Sequence, residues 1–416
     1  MAQSTINRHR PPSPSEPMTR RLLLDERRRR HRVFVRRRIA VAIAALMLIG
    51  AVWLGFSLGG ALLNPAMGSS VGSRFAEWAR GHGASSLVNW AENEWYSHHP
   101  PPIGGTVPPG SIKLPSAAVP ITTSVPHLPT PNAIQPFASP AIPGEGQWSP
   151  VGRRVDGVPA IFETTLRPDA VHTSYVVGVA WMDTKLLRAT LYSGSLIPGG
   201  GPYPDTAPVK ARAARTLVAA FNAGFLMNNA NGGYYTDGKT EIPLRPGAAS
   251  FVVYRNGSSN IVAWGREAAV PSTIVSVRQN LDLLVNHARP VPGLYANDTS
   301  KWGYTLGNAV YVWRSGLGVT ANGALVYVGG PGLNITDLAN LLVRAGAVRA
   351  MELDINTDWV NLSTYKPTTP QGFAAAANGT ELLANMTGTP ARYFETWWAR
   401  DFITMSAIKP MTSTKG

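Results

Sequence analysis

The chain has no cysteine in 416 residues. That removes disulfide scaffolds, thiolate metal sites, iron–sulfur clusters and cysteine nucleophiles together. Charge is sparse: Asp, Glu, Lys and Arg make up 15% of the chain. Lysine is the scarce base, 8 against 30 arginines, and with the Ala, Gly and Pro bias this suggests a GC-rich bacterial gene. No HExxH, GxSxG or Walker A motif occurs, so the zincin, hydrolase-elbow and P-loop signatures are missing. No internal repeat is visible.

The net charge of +14 looks like that of a nucleic-acid binder, but its distribution argues otherwise. Residues 1–38 carry +9, residues 39–150 carry −1 and residues 151–416 carry +6. A local arginine run supplies most of the excess, and no basic surface suited to tracking phosphates is implied. No nucleic-acid partner is expected.

One hydrophobic run stands out. Ile39 to Leu63 is 25 residues without a charge or a proline. A helix needs about 20 apolar residues to cross a bilayer core, and a signal-peptide core has only roughly 7–15. Arg27–Arg30, Arg32 and Arg36–Arg38 precede the run, and the next charged residue after it is Arg74. The positive-inside rule then puts the N-terminus in the cytoplasm and everything after Leu63 outside. The expectation is a single-pass protein of the cell membrane, touching lipid through residues 39–63.

Five regions follow. Residues 1–38 read as a basic cytoplasmic tail and 39–63 as the transmembrane helix. Residues 64–99 read as a juxtamembrane helical segment, with Phe75, Trp78, Leu87 and Trp90 near helical spacing and Gly81 and Gly83 as breaks. Residues 100–147 read as a Pro-rich linker, an extended spacer with few aromatics or charges. From Pro100 to Pro150 there are 14 prolines. Residues 148–416 read as an extracellular domain of α+β class, a mixed, mostly antiparallel sheet with few helices. Strand-like runs include Leu187–Tyr192, Thr216–Phe221, Phe251–Tyr254, Ile261–Trp264, Ile274–Val277, Val310–Arg314 and Ala324–Val328. Asn256-Gly257 suggests a hairpin between two of them. One helix is clear: Leu338, Leu341, Leu342 and Ala345 share a face, Asn334 or Thr336 can cap it, and Gly346 can close it.

The strand after that helix carries the chemistry. Over Val348–Ile355, period-2 alternation puts Glu352 and Asp354 on one face. Their backbones are then about 6.5–7 Å apart, close enough for repulsion and burial to split the two pKa values into one acid and one base. The alternative is a solvated strand edge with two charges. Asp354-x-Asn356-x-Asp358 begins like a calcium loop, but Trp359 stands where the sixth-position glycine belongs, and Tyr365 where the Glu belongs. A looser oxygen-ligand calcium site remains an option; no cofactor and no dedicated metal site are expected. His172 is a candidate general base or a structural histidine. Trp302, Trp313, Trp359, Trp397 and Trp398 are either sugar-stacking platforms or core.

Three segments together resemble the phosphodiester glycosidase family, in a membrane-anchored actinobacterial branch. They are Asn222-Ala223-Gly224-Phe225-Leu226 after a strand, Arg314-Ser315-Gly316-Leu317-Gly318, and the helix–strand run ending Glu352-Leu353-Asp354-Ile355-Asn356. In this chain Glu352 replaces the family's Asn, and Ile355-Asn356-Thr357 replaces its glycine run. The resemblance implies a hydrolase of a sugar 1-phosphodiester, with a carbohydrate–phosphate substrate. It implies Asp354 and Glu352 as the catalytic carboxylates and Arg314, Asn222, Gly224 and Asn356 as substrate-binding residues. Two alternatives stay open: Arg314 paired structurally with Asp354, and a non-catalytic carbohydrate or cell-wall binding module on the same fold.

Overall fold

A computed structural model describes residues 16–64, 67–68, 70–99, 101–116, 124–265, 270–294, 298–303, 311–396, 398 and 400–408. The chain divides into two compact units, Met1–Leu63 and Asn64–Gly416.

The first unit is one helix, Glu16–Leu63. Its Leu24–Leu63 portion is long and apolar enough to cross a membrane. At about 1.5 Å per residue it exceeds a ~30 Å hydrocarbon core, so the arginine-rich stretch continues the same helix beyond what a span needs. Arg30 pairs with Glu26 one turn back, an exposed contact of small energetic weight.

The second unit is built on three sheets, and every ladder between their strands is antiparallel. The largest runs Ser149–Val155, Val158–Leu166, Val177–Met182, Leu325–Leu333, Val312–Thr320, Ala347–Asp354, Leu283–Asn286 and Arg289–Pro290. The second runs Lys239–Ile242, Tyr234–Thr236, Ile274–Gln279, Ala249–Tyr254 and Ser259–Ala263. The third runs Gly379–Glu381, Leu362–Tyr365, Leu217–Asn222, Phe402–Ala407 and Leu187–Tyr192. The single parallel pairing among the described residues is the isolated bridge Ser193–Thr206. The α+β reading holds.

Both faces of the large sheet are covered. Leu317, Tyr327, Met351 and Leu353 pack with Val218, Phe221 and Ile403 of the third sheet and Phe251 and Ile261 of the second. On the other face sits the helix Ile335–Arg344, through Leu338, Leu341 and Leu342. Asn334 caps it, accepting from the Asp337 N–H at 2.8 Å, and Gly346 follows at φ +94 in the left-handed region that suits glycine. A Cβ on Gly316 would come within 2.9 Å of Leu342 Cδ1, so that glycine lets the helix lie close on its strand.

The Pro-rich stretch differs from a free spacer. Its described residues form no helix or strand, as their composition dictates, yet they lie on the domain. Leu128 and Ile134 are buried in the helix-side core. The Leu128 N–H donates to Asp183 at 2.7 Å, and Glu145 takes a two-pronged contact from Arg167 at 3.0 and 2.7 Å. The preceding segment forms the helices Val71–Ala79 and Ser85–His98, broken around Gly83, as the glycines anticipate.

Candidate functional site

The expected carboxylates sit where the ends of all three sheets meet. Glu352 and Asp354 end a strand of the large sheet, Asn222 ends one of the third, and Arg278-Gln279 ends one of the second, with Asn280 directly after it. Three hydrogen bonds tie the ends together. The Asn222 amide donates to Ser315 Oγ at 3.0 Å, Arg278 Nε donates to Asp401 at 2.6 Å, and the Asn280 amide donates to the Glu352 carbonyl at 2.7 Å.

Neither carboxylate lies on a solvated edge: Glu352 is 0% exposed and Asp354 2%. The strand register skips Leu353, pairing Ser315 with Asp354 and Gly316 with Glu352. Such a bulge re-aims side chains locally. Arg314 faces Glu352, not Asp354: its Nη1 donates to Glu352 Oε1 at 2.7 Å, and its Nε donates to the Leu333 carbonyl at 2.9 Å. The alternative Arg314–Asp354 pair is therefore replaced by an Arg314–Glu352 pair, with Arg314 itself 0% exposed.

Asp354 is held differently. Its Oδ1 accepts the backbone N–H groups of Ile355 at 2.8 Å and Asn356 at 3.0 Å. Among the described residues its buried Oδ2 has no hydrogen-bond partner. Burial pushes its pKa up to about 6, against the pull of Arg400 and the two N–H donors, with Glu77 adding to the rise. Burial likewise raises Glu352 to about 7, opposed by Arg314. The oxygen still open on Asp354 is the one suited to take a proton or face an electron-poor carbon.

The other expected residues hold this arrangement in place. Asn222 is engaged at both ends of its amide: besides Ser315, its Oδ1 accepts from the Tyr327 hydroxyl at 2.9 Å and from the Asn361 N–H at 3.3 Å. Gly224 makes room for an arginine: a Cβ there would stand 2.9 Å from Arg278 Cζ. Asn356 shapes the turn, its Oδ1 accepting from the Asp358 N–H at 2.9 Å. The Asp354–Asp358 stretch is thus an Asx-type turn. Among the described residues no group of three or more His, Asp or Glu is arranged to hold a metal ion.

His172 lies with Asp169, its Nδ1 2.8 Å from Oδ2, and its ring packs on Tyr311. Trp302, Trp359 and Trp398 are buried, Trp313 is half-buried, and Trp397 lies outside the described residues. A cleft of about 650 Å³ lies elsewhere, lined by Tyr192, Asp205, Lys210, Arg212, Arg215 and Gln371 among others, and its lining includes neither carboxylate.

Sequence spacing does not reveal Arg400, Asp401, Arg278, Asn280 or Glu77. Two faint signals precede the structure. Arg278-Gln279-Asn280 is a polar run directly after the apolar Ile274–Val277, and Arg400-Asp401 is a charged pair directly before an apolar strand.

Residues 215–354 match the sequence model of the phosphodiester glycosidase family, a family of hydrolases. The match takes in Asn222, Gly224, Arg314 and Glu352 and ends on Asp354, covering about a third of the chain. Among solved structures, the zebrafish N-acetylglucosamine-1-phosphodiester alpha-N-acetylglucosaminidase catalytic domain, auto-inhibited by its pro-peptide, is similar at 14% identity with a TM-score of 0.39. The similarity covers 62% of this chain and 87% of that one. A hypothetical protein from Synechocystis is similar at 14% identity with a TM-score of 0.33, over 62% of this chain and 64% of that one. No curated protein sequence matches the chain.

Proposed function

We propose that this chain is a membrane-anchored hydrolase that cleaves the bond between a sugar and a phosphodiester in a surface glycopolymer or glycoconjugate of the bacterial envelope. In this reading the Leu24–Leu63 portion spans the membrane, the N-terminus is cytoplasmic and the domain faces outward. The observation that carries the proposal is Asp354, buried, fixed through one oxygen and open at the other, inside the segment matched to the family.

The chemistry follows from the leaving group. A phosphomonoester departs readily, so protonation of it matters less than support of the developing positive charge at the sugar carbon. Ionised Asp354 faces that carbon. Water attacks it, its proton passes to Asp354 Oδ2, and the carbon–oxygen bond breaks with its electron pair leaving on the phosphate. Glu352, locked by Arg314, adds negative charge when ionised and is a proton donor when not. Asn222 and Ser315 position the end of the Asp354 strand. Gly224 and Asn356 act through Arg278 and the turn.

A second reading, a non-catalytic carbohydrate or cell-wall binding module, is favoured by the near-complete burial of both carboxylates. The test uses the full chain in detergent with an α-N-acetylglucosamine 1-phosphodiester and with wall polymers, following released sugar and phosphomonoester. Asp354→Asn is expected to lower turnover at least ~100-fold, the usual scale for a lost proton-transfer group. Polymer binding with no release of sugar, unchanged in Asp354→Asn, would establish the binding module instead.

A further inference from the structure

The helix Val71–Ala79 is packed inside out. Ser70 caps it, accepting from the Ser73 N–H at 3.1 Å. At ~100° per residue Val71, Phe75 and Trp78 share one side of it, and Glu77 lies away from them. A surface helix of a globular domain turns its apolar side to the core and its charges to water. Here the reverse holds. Glu77 is 8% exposed and turned to the domain, 3.5 Å from Arg400, whereas Phe75 is 49% exposed and Val71 more so. The rings of Phe75 and half-buried Trp78 lie 6.2 Å apart between centroids, so the outward side is a strip, not a scatter of single residues.

The chain turns at Gly83, where φ is +86, and the helix Ser85–His98 repeats the pattern. Leu87, Trp90 and Ala91, at i, i+3 and i+4, are all exposed, Trp90 by 61%. The apolar stretch stops at Glu94 and His98, an exposed pair one turn apart with Nε2 2.9 Å from Oε1.

The place of the strip in the chain says what covers it. Seven residues, 64–70, separate Val71 from the end of the long apolar helix at Leu63. Fully extended they reach about 28 Å at most, less than the thickness of a bilayer. Tryptophan, with an apolar body and one N–H, is enriched at the boundary between headgroups and acyl chains. We propose that the outward sides of Val71–Ala79 and Ser85–His98 lie on the membrane surface, with Val71, Phe75, Leu87 and Trp90 inserted among the lipids. This rests on the reading that Leu24–Leu63 spans the membrane. Through Glu77 and Arg400 the first of these helices is fastened to the third sheet, so the domain is held down on the bilayer and does not swing on a tether.

The chain has no cysteine, so one introduced cysteine is a unique site for a spin label. Phe75→Cys, Leu87→Cys, Leu46→Cys and Asn322→Cys are each labelled in the full-length chain, in nanodiscs of phosphatidylethanolamine and phosphatidylglycerol. Collision with oxygen, which concentrates in lipid, is compared with collision with a water-soluble nickel chelate. Leu46, within the proposed span, sets the lipid value. Asn322, exposed in the turn between Val312–Thr320 and Leu325–Leu333, sets the water value. The oxygen-to-chelate ratio at positions 75 and 87 is expected at least about fivefold above that at 322, as for side chains buried ~5–10 Å into the headgroup–acyl boundary. A ratio at 75 and 87 equal to that at 322 overturns the proposal. So does an immobilised label shielded from both reagents, which would place protein, a second copy included, on the strip. If either variant does not fold, Trp90→Cys takes its place. A water value at 46 removes the membrane-spanning reading, and 75 and 87 still decide the helical face. A lipid value at 46 with water values at 75 and 87 removes the face alone.

Discussion

Two buried arginines, Arg278 and Arg400, are used in opposite ways. Arg278 is fully enclosed and every donor group is occupied. Nε goes to Asp401, Nη1 to the Gln279 carbonyl and Nη2 to the Phe225 carbonyl and Asp401. Gly224 is absent a side chain where the guanidinium lies. Arg400 has one long contact to a carboxylate from another segment and, among the described residues, no hydrogen-bond partner at Nη1. Saturated donors with tight packing mark a residue that ties sheets together. Unfilled donors at similar burial carry a desolvation cost.

The comparison can be broken at its strongest point first. Arg278→Ala leaves Asp401 buried and unpaired and is expected to cost about 3–5 kcal/mol in chemical denaturation. A loss below ~1 kcal/mol would mean that Arg278 is not the tie described. Gly224→Ala tests the same contact from the other side. Its new methyl must push the guanidinium away, for an expected loss of about 1–3 kcal/mol.

Acid–base behaviour gives an intermediate effect. Asp354 and Glu352 have folded pKa values raised by burial to about 6 and about 7, above their unfolded values. Asp337 and Glu163 are raised to about 7 by burial as well. The folded chain therefore holds more protons than the unfolded chain between about pH 4 and pH 7, and stability falls as pH rises through that window. A melting temperature higher at pH 5 than at pH 8 is expected. Asp354→Asn should flatten part of that slope, by an amount on the order of 2 kcal/mol. A slope of the opposite sign would show that these carboxyls ionise easily. Glu77→Gln comes last, with an expected stability change of about 1 kcal/mol or less, since its two charged contacts, 3.2 Å to Arg80 and 3.5 Å to Arg400, are both long.

Much of the fold was legible because local rules sufficed. The helix Ile335–Arg344 has its apolar face at i, i+3, i+4 and i+7, its Asn334 cap and its Gly346 exit, and all three are found. The partner of Arg314 was not legible, because a bulge at Leu353 decides which carboxylate it meets, and no spacing rule predicts a bulge there. Arg400 and Glu77 were not legible for a plainer reason. They are 323 positions apart and meet only when the Val71–Ala79 helix is laid on the domain.

The Pro-rich stretch has a practical meaning for anyone producing this domain. A fragment begun at Trp148, where the composition changes, would strip Leu128 and Ile134 from an otherwise closed apolar layer. It would also leave the Arg167 guanidinium without Glu145, and an Asp183 oxygen without its Leu128 donor. Such a truncation is expected to aggregate or express poorly, whereas one begun before Ser70 retains the belt and both helices. The place to cut a chain is set by which residues are wrapped, not by where prolines stop.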